Sequence, residues 1–292
     1  MDAIPFYLVY PFFYLIASLP FSALYKLSDI LYYFFWVSGY RRKVVLENLT
    51  NSFPGKSKKE IEALCKGYFR YLCDLTLETI KTMRMTEQEA KERCIYSQPA
   101  WLNKMFAEKK SIIIVMGHYG NWEWAGPSFT LNSNYQLVVI YRPLSNPYFE
   151  KMLTATRTKF GTRIIPVNLT LRDMVANRKN VTATAFIADQ AATNANSYWT
   201  TFLNQKTSVF NGPEKLAVKF NYPVVYINIR RIRRGYYEVI PELMIENPVA
   251  SAEGEILEAF TKRLEKEIIN DPIVWLWSHR RWKIVPPNSP GL

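Results

Sequence analysis

The segment Gly117-His118-Tyr-Gly120-Asn121-Trp-Glu123 holds an imidazole and a carboxylate five residues apart, the makings of a general base and its orienting acid. In such a pair the carboxylate fixes the tautomer of the ring and stabilises the imidazolium as the proton arrives, and a base of this kind contributes about 10²–10⁴-fold to rate. The spacing is awkward for regular structure. Positions five apart lie ~140° from each other around a helix, and on a strand they fall on opposite faces. The two side chains can meet only if His118 sits in a turn and Glu123 in the helix that follows, and Gly117 and Gly120 make such a turn accessible. The run Ile112–Met116 just before it reads as a buried strand.

In an open parallel sheet, ligands bind beyond the carboxyl ends of the strands. Other strand-like runs here also end in polar groups. Gln136–Tyr141 leads into Arg142-Pro143, and Val181–Ile187 into Ala188-Asp189-Gln190. His118, Glu123, Arg142 and Asp189 are therefore expected along one rim. The chain has no GxSxG elbow, Walker loop, GxGxxG or HExxH. The chemistry expected is direct attack by a deprotonated substrate group, with no metal, nucleotide, other cofactor or covalent enzyme intermediate. A thioester is the natural electrophile, because its thiolate leaves easily.

The elements that must position these groups follow from periodicity. Ser57-Lys-Lys-Glu60 is a capping box that opens a helix with Ile61, Leu64, Tyr68, Leu72 and Leu75 on one face. Strands are expected over Ser111–Met116, Gln136–Tyr141, Arg163–Val167, Val181–Ile187, Pro223–Arg230 and Tyr236–Pro241. Helices are expected over Leu169–Arg178, Pro213–Phe220 and Gly254–Ile269. This is an α/β layout with a largely parallel central sheet flanked by helices.

The N-terminal 40 residues differ in character. Ala3 to Tyr25 carries no charge, and Ile30–Tyr40 is a second apolar stretch, so residues 1–40 are expected to form a hydrophobic helical membrane anchor, spanning or set in one leaflet. Residues 41–292 would then be the catalytic domain. Arg41, Arg42 and Lys43 place that domain on the cytoplasmic side by the positive-inside bias. Lys and Arg number 37 against 25 Asp and Glu, a net charge of +12, which favours an anionic partner. No nucleic-acid-binding pattern accompanies the charge, so nucleic acid is not expected. The three cysteines form no CxxC, and with only two histidines a metal site is not expected either.

His118-Tyr-Gly-Asn121-Trp-Glu123 resembles the HX4D/E motif of glycerophospholipid-type acyltransferases, and the chain more closely resembles the bacterial lipid A biosynthesis (late) acyltransferase family. The likeness extends through Arg41-Arg-Lys-Val-Val-Leu-Glu-Asn-Leu-Thr-Asn-Ser-Phe-Pro54, Tyr141-Arg142-Pro143, Asp189-Gln190, Asn211-Gly212-Pro213 and Trp277-Ser-His279-Arg-Arg-Trp-Lys283. The resemblance implies that His118, oriented by Glu123, deprotonates a hydroxyl of a lipid A precursor. The hydroxyl attacks an acyl thioester on acyl carrier protein at the bacterial inner membrane. Arg142 and Asp189 would position the acceptor, and Arg142 could stabilise the oxyanion. Asn121, Gln190 and Gly212 fall in the same matched blocks and are expected at the substrate. His279, among Trp275, Trp277 and Trp282, is expected to pack, with no role as a second base. Two other readings stay open: the same chemistry on an aminolipid, glycolipid or pigment, and a basic membrane-binding protein without catalysis.

Overall fold

The computed structural model describes residues 3–97, 99–190 and 197–284. The chain begins with helices α1 (Ala3–Ser18), α2 (Phe21–Ser38), α3 (Arg42–Ser52), α4 (Lys58–Lys81) and α5 (Glu87–Arg93). Strand β1 (Cys94–Tyr96), helix α6 (Ala100–Ala107), strand β2 (Ile112–Met116), helix α7 (Trp122–Asn132) and strand β3 (Gln136–Tyr141) come next. They are followed by α8 (Pro147–Thr158), β4 (Arg163–Pro166), α9 (Thr170–Ala176) and β5 (Thr182–Ile187). The last elements are β6 (Tyr198–Phe202), β7 (Gln205–Val209), α10 (Gly212–Phe220), β8 (Val224–Arg233), β9 (Tyr236–Ile245) and α11 (Glu255–Asn270).

Seven strands form one sheet in the order β1-β9-β8-β2-β5-β3-β4, parallel except for the β8–β9 pair. The expected α/β layout is thus present, with the six predicted strands at nearly the predicted positions. Helices cover both faces, as parallel sheets require. Strand β2 shows how: Ile113 and Val115 face one core cluster, Ile112, Ile114 and Met116 the other, and all five are buried. Beside the large sheet, β6 and β7 form a separate antiparallel hairpin through Leu203 and Asn204, both at positive φ.

Strand order is what builds the site. β2 and β5 are far apart in sequence but adjacent and in parallel register, with Met116 opposite Ile187. The pairing runs one step further, Ala188 N–H donating to Met116 O at 3.0 Å. Residues 118 and 189 therefore leave the sheet side by side.

The N-terminal region does not form a spanning anchor. Pro20 divides it into α1 and α2, and no helix among the described residues is long and apolar enough to cross a membrane. The 16 residues of α1 reach only ~24 Å, short of a hydrocarbon core of about 30 Å. Helix α2, 18 residues or ~27 Å, is longer but carries Lys26 and Asp29, and its polar side is committed to the protein: Ser28 Oγ donates to Asp74 at 2.6 Å and Tyr25 to Glu78 at 2.8 Å. The opposite side is exposed and apolar, with Tyr33, Phe34 and Val37 open to solvent, and on α1 so are Ile4, Tyr7, Leu8, Phe12 and Leu15.

Candidate active site

His118 follows β2 in a turn that is pinned from three sides. Its backbone N–H donates to Asp189 Oδ2 at 2.8 Å. Its carbonyl accepts from Leu276 N at 3.1 Å, and Gly120 N donates to Val274 O at 3.0 Å, so the segment 274–276 runs as a short strap along the turn. Tyr71 donates to the carbonyl of Gly120 at 2.5 Å. Gly120 has φ +56°, and a Cβ there would stand 2.6 Å from the carbonyl oxygen of Ile229. Only glycine takes this corner without strain. Asn121 then caps α7, its Oδ1 accepting from Trp124 N at 2.9 Å.

The carboxylate against the imidazole is that of Asp189, where Glu123 was expected. His118 Nδ1 lies 2.6 Å from Asp189 Oδ1, and Asp189 Oδ2 also accepts from the Trp275 indole at 2.8 Å. Glu123 sits in the first turn of α7 and is claimed by another group: Arg157 of α8 grips it with two bonds, Nε–Oε2 at 3.1 Å and Nη2–Oε1 at 2.5 Å. Helix geometry accounts for the difference. The turn delivers Glu123 to the same cavity as His118, while the parallel β2–β5 pair brings Asp189 to the ring itself.

Electrostatics agree with this division. Burial raises the Asp189 carboxyl, but the His118 imidazolium charge and the bonds from His118 and Trp275 outweigh it and hold the group at about 2. Burial also lowers Arg157, yet the Glu123 charge and hydrogen bonds leave its guanidinium above the ordinary range. With Asp189 ionised, a neutral ring carries its proton on Nδ1 and leaves its lone pair on Nε2, where the Gln190 amide, its Nε2 3.3 Å away, can donate to it.

His118, Glu123, Arg157 and Gln190 line a cavity of about 410 Å³, within the size range of small-molecule sites. One part is apolar, walled by Val139, Ile140, Leu153, Ile164, Phe186 and Ile187. The polar part holds His118, Glu123, Arg157, Arg142, Gln190 and Lys283. His279 also lines it, and burial lowers its imidazole to about 4, so the ring is neutral at ordinary pH.

Three expected substrate-binding residues do not line the cavity. Asp189, expected to position the acceptor, is buried and spent on His118 and Trp275. Asn121 is fully buried, its amide spent on Glu78 Oε2 at 2.8 Å as well as on the cap. Gly212 opens α10 and does not line the cavity; its missing Cβ makes room for the ring of Phe210, which does. Arg142 is exposed at the cavity edge, where it was expected. Arg157 and Trp275 are the functional groups that sequence reasoning missed. Arg157 lies in a helix with no motif around it, whereas Trp275 stands beside a matched block and was passed over.

The profile of a family described as Bacterial lipid A biosynthesis acyltransferase matches residues 2–284. The chain is 23% identical over 258 residues to the lipid A biosynthesis palmitoleoyltransferase of Escherichia coli strain K12, covering 86% of this chain and 82% of the relative. The lipid A biosynthesis acyltransferase of Shigella flexneri is similar to the same extent.

Proposed function

This chain belongs to the bacterial lipid A biosynthesis acyltransferase family, and from that premise we propose that it is an acyltransferase in which His118, oriented by Asp189, acts as general base on a hydroxyl of a lipid A precursor. The observation that carries the reading is the 2.6 Å contact between His118 Nδ1 and Asp189 beside a cavity with one apolar part. In the reaction, Nε2 takes the hydroxyl proton as the oxygen attacks the carbonyl carbon of an acyl thioester on acyl carrier protein. The new C–O bond forms, the C–S bond breaks, and the imidazolium returns its proton to the departing thiolate. The apolar part of the cavity receives the acyl chain. Arg142 and Lys283 meet anionic groups of acceptor or donor, and Arg157 is positioned by Glu123 to stabilise charge that develops on the carbonyl oxygen. The net charge of +12 suits an acidic carrier protein and an anionic lipid surface alike.

The exposed apolar sides of α1 and α2 support a seat in one leaflet of the inner membrane, with residues 41–292 held at its cytoplasmic face. In this arrangement α1 and α2 contact lipid on one side while the other packs on α4.

An in vitro transfer assay tests the proposal. Purified protein in detergent is given acyl carrier protein thioester or acyl-coenzyme A, with a lipid A precursor, an aminolipid or a glycolipid as acceptor, and products are read by mass spectrometry. Transfer to the lipid A precursor that disappears in His118→Ala is expected. Transfer only to another acceptor overturns the acceptor assignment, and transfer undiminished in His118→Ala overturns the base. Vesicle binding without transfer from any donor overturns the enzymatic reading of the site.

A further inference from the structure

Beneath the turn that carries His118 lies a carboxylate that the proposed reaction does not use. Glu78 of α4 is fully buried, and its oxygens accept three hydrogen bonds from three different parts of the chain. Tyr25 of α2 donates at 2.8 Å, Tyr237 of β9 at 2.9 Å, and Asn121 Nδ2 at 2.8 Å. Its backbone carbonyl accepts from the Trp124 indole at 3.1 Å, so α7 is held twice from the same residue. One turn earlier on α4, Asp74 accepts from Ser28 of α2 at 2.6 Å and from Arg234 at 2.7 Å.

A carboxylate is expensive to bury and is tolerated where each oxygen is satisfied. Here the bonds that satisfy it run to α2 on one side and to the residue capping α7 on the other. Asn121 is two residues from Glu123 and three from His118, within the turn whose other contacts are Tyr71 and the 274–276 strap. A shift of Asn121 moves the start of α7 and the turn together.

We infer that Glu78 is a positioning residue for the catalytic base, and that through it α2 is a working part of the active site as well as a lipid contact. This inference rests on the proposal that His118 is the base. The seat of α2 on α4 and the geometry at His118 share one buried acceptor, so loosening Tyr25 loosens Asn121.

The test exchanges donor and acceptor across the Glu78–Asn121 bond. Asn121→Asp keeps the cap on Trp124 but faces Glu78 with a second carboxylate. Adding Glu78→Gln restores a donor–acceptor pair in reverse, since the Gln amide donates to Asp and the hydroxyl of Tyr237 can accept as readily as it donates. Transfer is measured in detergent, where tethering to a bilayer plays no part. Asn121→Asp is expected to lower kcat about 30–100-fold, the scale of a small misplacement of a catalytic group, with KM for both substrates within about twofold. The double variant is expected to recover to within about fivefold of wild type, the signature of a coupled pair. Tyr25→Phe, a milder change that retains the fold at a lowered thermal midpoint, is expected to lower kcat about 3–10-fold at unchanged KM, measured below that midpoint.

Full activity of Asn121→Asp overturns the inference. So does a double variant that is folded but no more active than Asn121→Asp, or a Tyr25→Phe enzyme equal to wild type. If Asn121→Asp fails to fold, the Tyr25→Phe result alone decides. His118→Ala is run alongside: activity retained there refutes the assignment of the base, whereas activity lost there with Tyr25→Phe unaffected refutes only the role of Glu78.

Discussion

Asp189→Asn separates the two carboxylates that could orient the base. Asp189 makes three bonds: Oδ2 accepts from His118 N and from the Trp275 indole, each at 2.8 Å, and Oδ1 faces His118 Nδ1 at 2.6 Å. Asparagine has nearly the same shape and keeps the first two bonds through its one oxygen. Its amide then points at Nδ1, which can pair only by giving up its proton to Nε2. That tautomer has no lone pair facing the substrate. In serine proteases the equivalent tautomer error costs about 10⁴ in kcat. A loss of about 10³–10⁴-fold is therefore expected here, or about 4–5.5 kcal/mol of transition-state stabilisation. Because two of the three bonds survive, KM for either substrate should change little. Steady-state transfer from acyl thioester to lipid acceptor, read by mass spectrometry, gives kcat and KM, and the circular dichroism melting curve shows that the variant folds. If Asp189→Asn keeps activity within about threefold of wild type while Glu123→Gln abolishes it, the orienting carboxylate is Glu123 and the argument from geometry is refuted.

The Glu123–Arg157 pair should behave as one unit: Glu123→Gln and Arg157→Ala are each expected to cost about 10–100-fold in kcat, and the double variant no more than the worse single one; additive losses in the same assay would show that the two act separately. Gly120→Ala, which combines a left-handed backbone with a Cβ against the Ile229 carbonyl, should destabilise the fold by about 2–5 kcal/mol in urea titration, and a loss below about 1 kcal/mol would mean the corner can relax. Burial pushes the Glu267 carboxyl up to about 7, so the folded state holds a proton there that the unfolded chain, with a glutamate pKa of about 4.3, has released. The stabilisation from that proton is complete below the unfolded value and is lost as pH rises through about 7. The melting temperature of wild type minus that of Glu267→Gln should accordingly fall between about pH 5 and 8; a difference that rises instead contradicts the assignment.

The large sheet was legible because its strands announce themselves. Ile112–Met116 and Thr182–Ile187 are nearly unbroken apolar or β-favouring runs, each followed after one small residue by a polar one, which is how a strand buried on both faces meets a rim. Arg142, Asp189 and Gln190 were placed at that rim by the same logic. The partner of His118 was not legible, because nothing local says that β5 lies beside β2, and a reading along the chain finds Glu123 first. Arg157 was invisible for a similar reason: α8 has neither a motif nor a buried residue, and only its packing against α7 gives the guanidinium a carboxylate to hold. The β6–β7 hairpin turns through Leu203-Asn204 without a glycine, so the usual turn signal is missing. At the N-terminus, hydropathy suggested a membrane anchor, spanning or set in one leaflet, and Pro20 and the polar bonds of α2 make two helices packed on α4, neither of them long and apolar enough to span.

The strap at residues 274–276 makes the His118 turn depend on a segment that follows β9 and α11 in the chain. Until Leu276 bonds the carbonyl of His118 and Trp275 reaches Asp189, the carboxylate lacks one of its donors and the turn lacks its clasp. The sheet can therefore form during folding before the imidazole and its carboxylate are fixed against each other. Docking of this one segment is the event that fixes them.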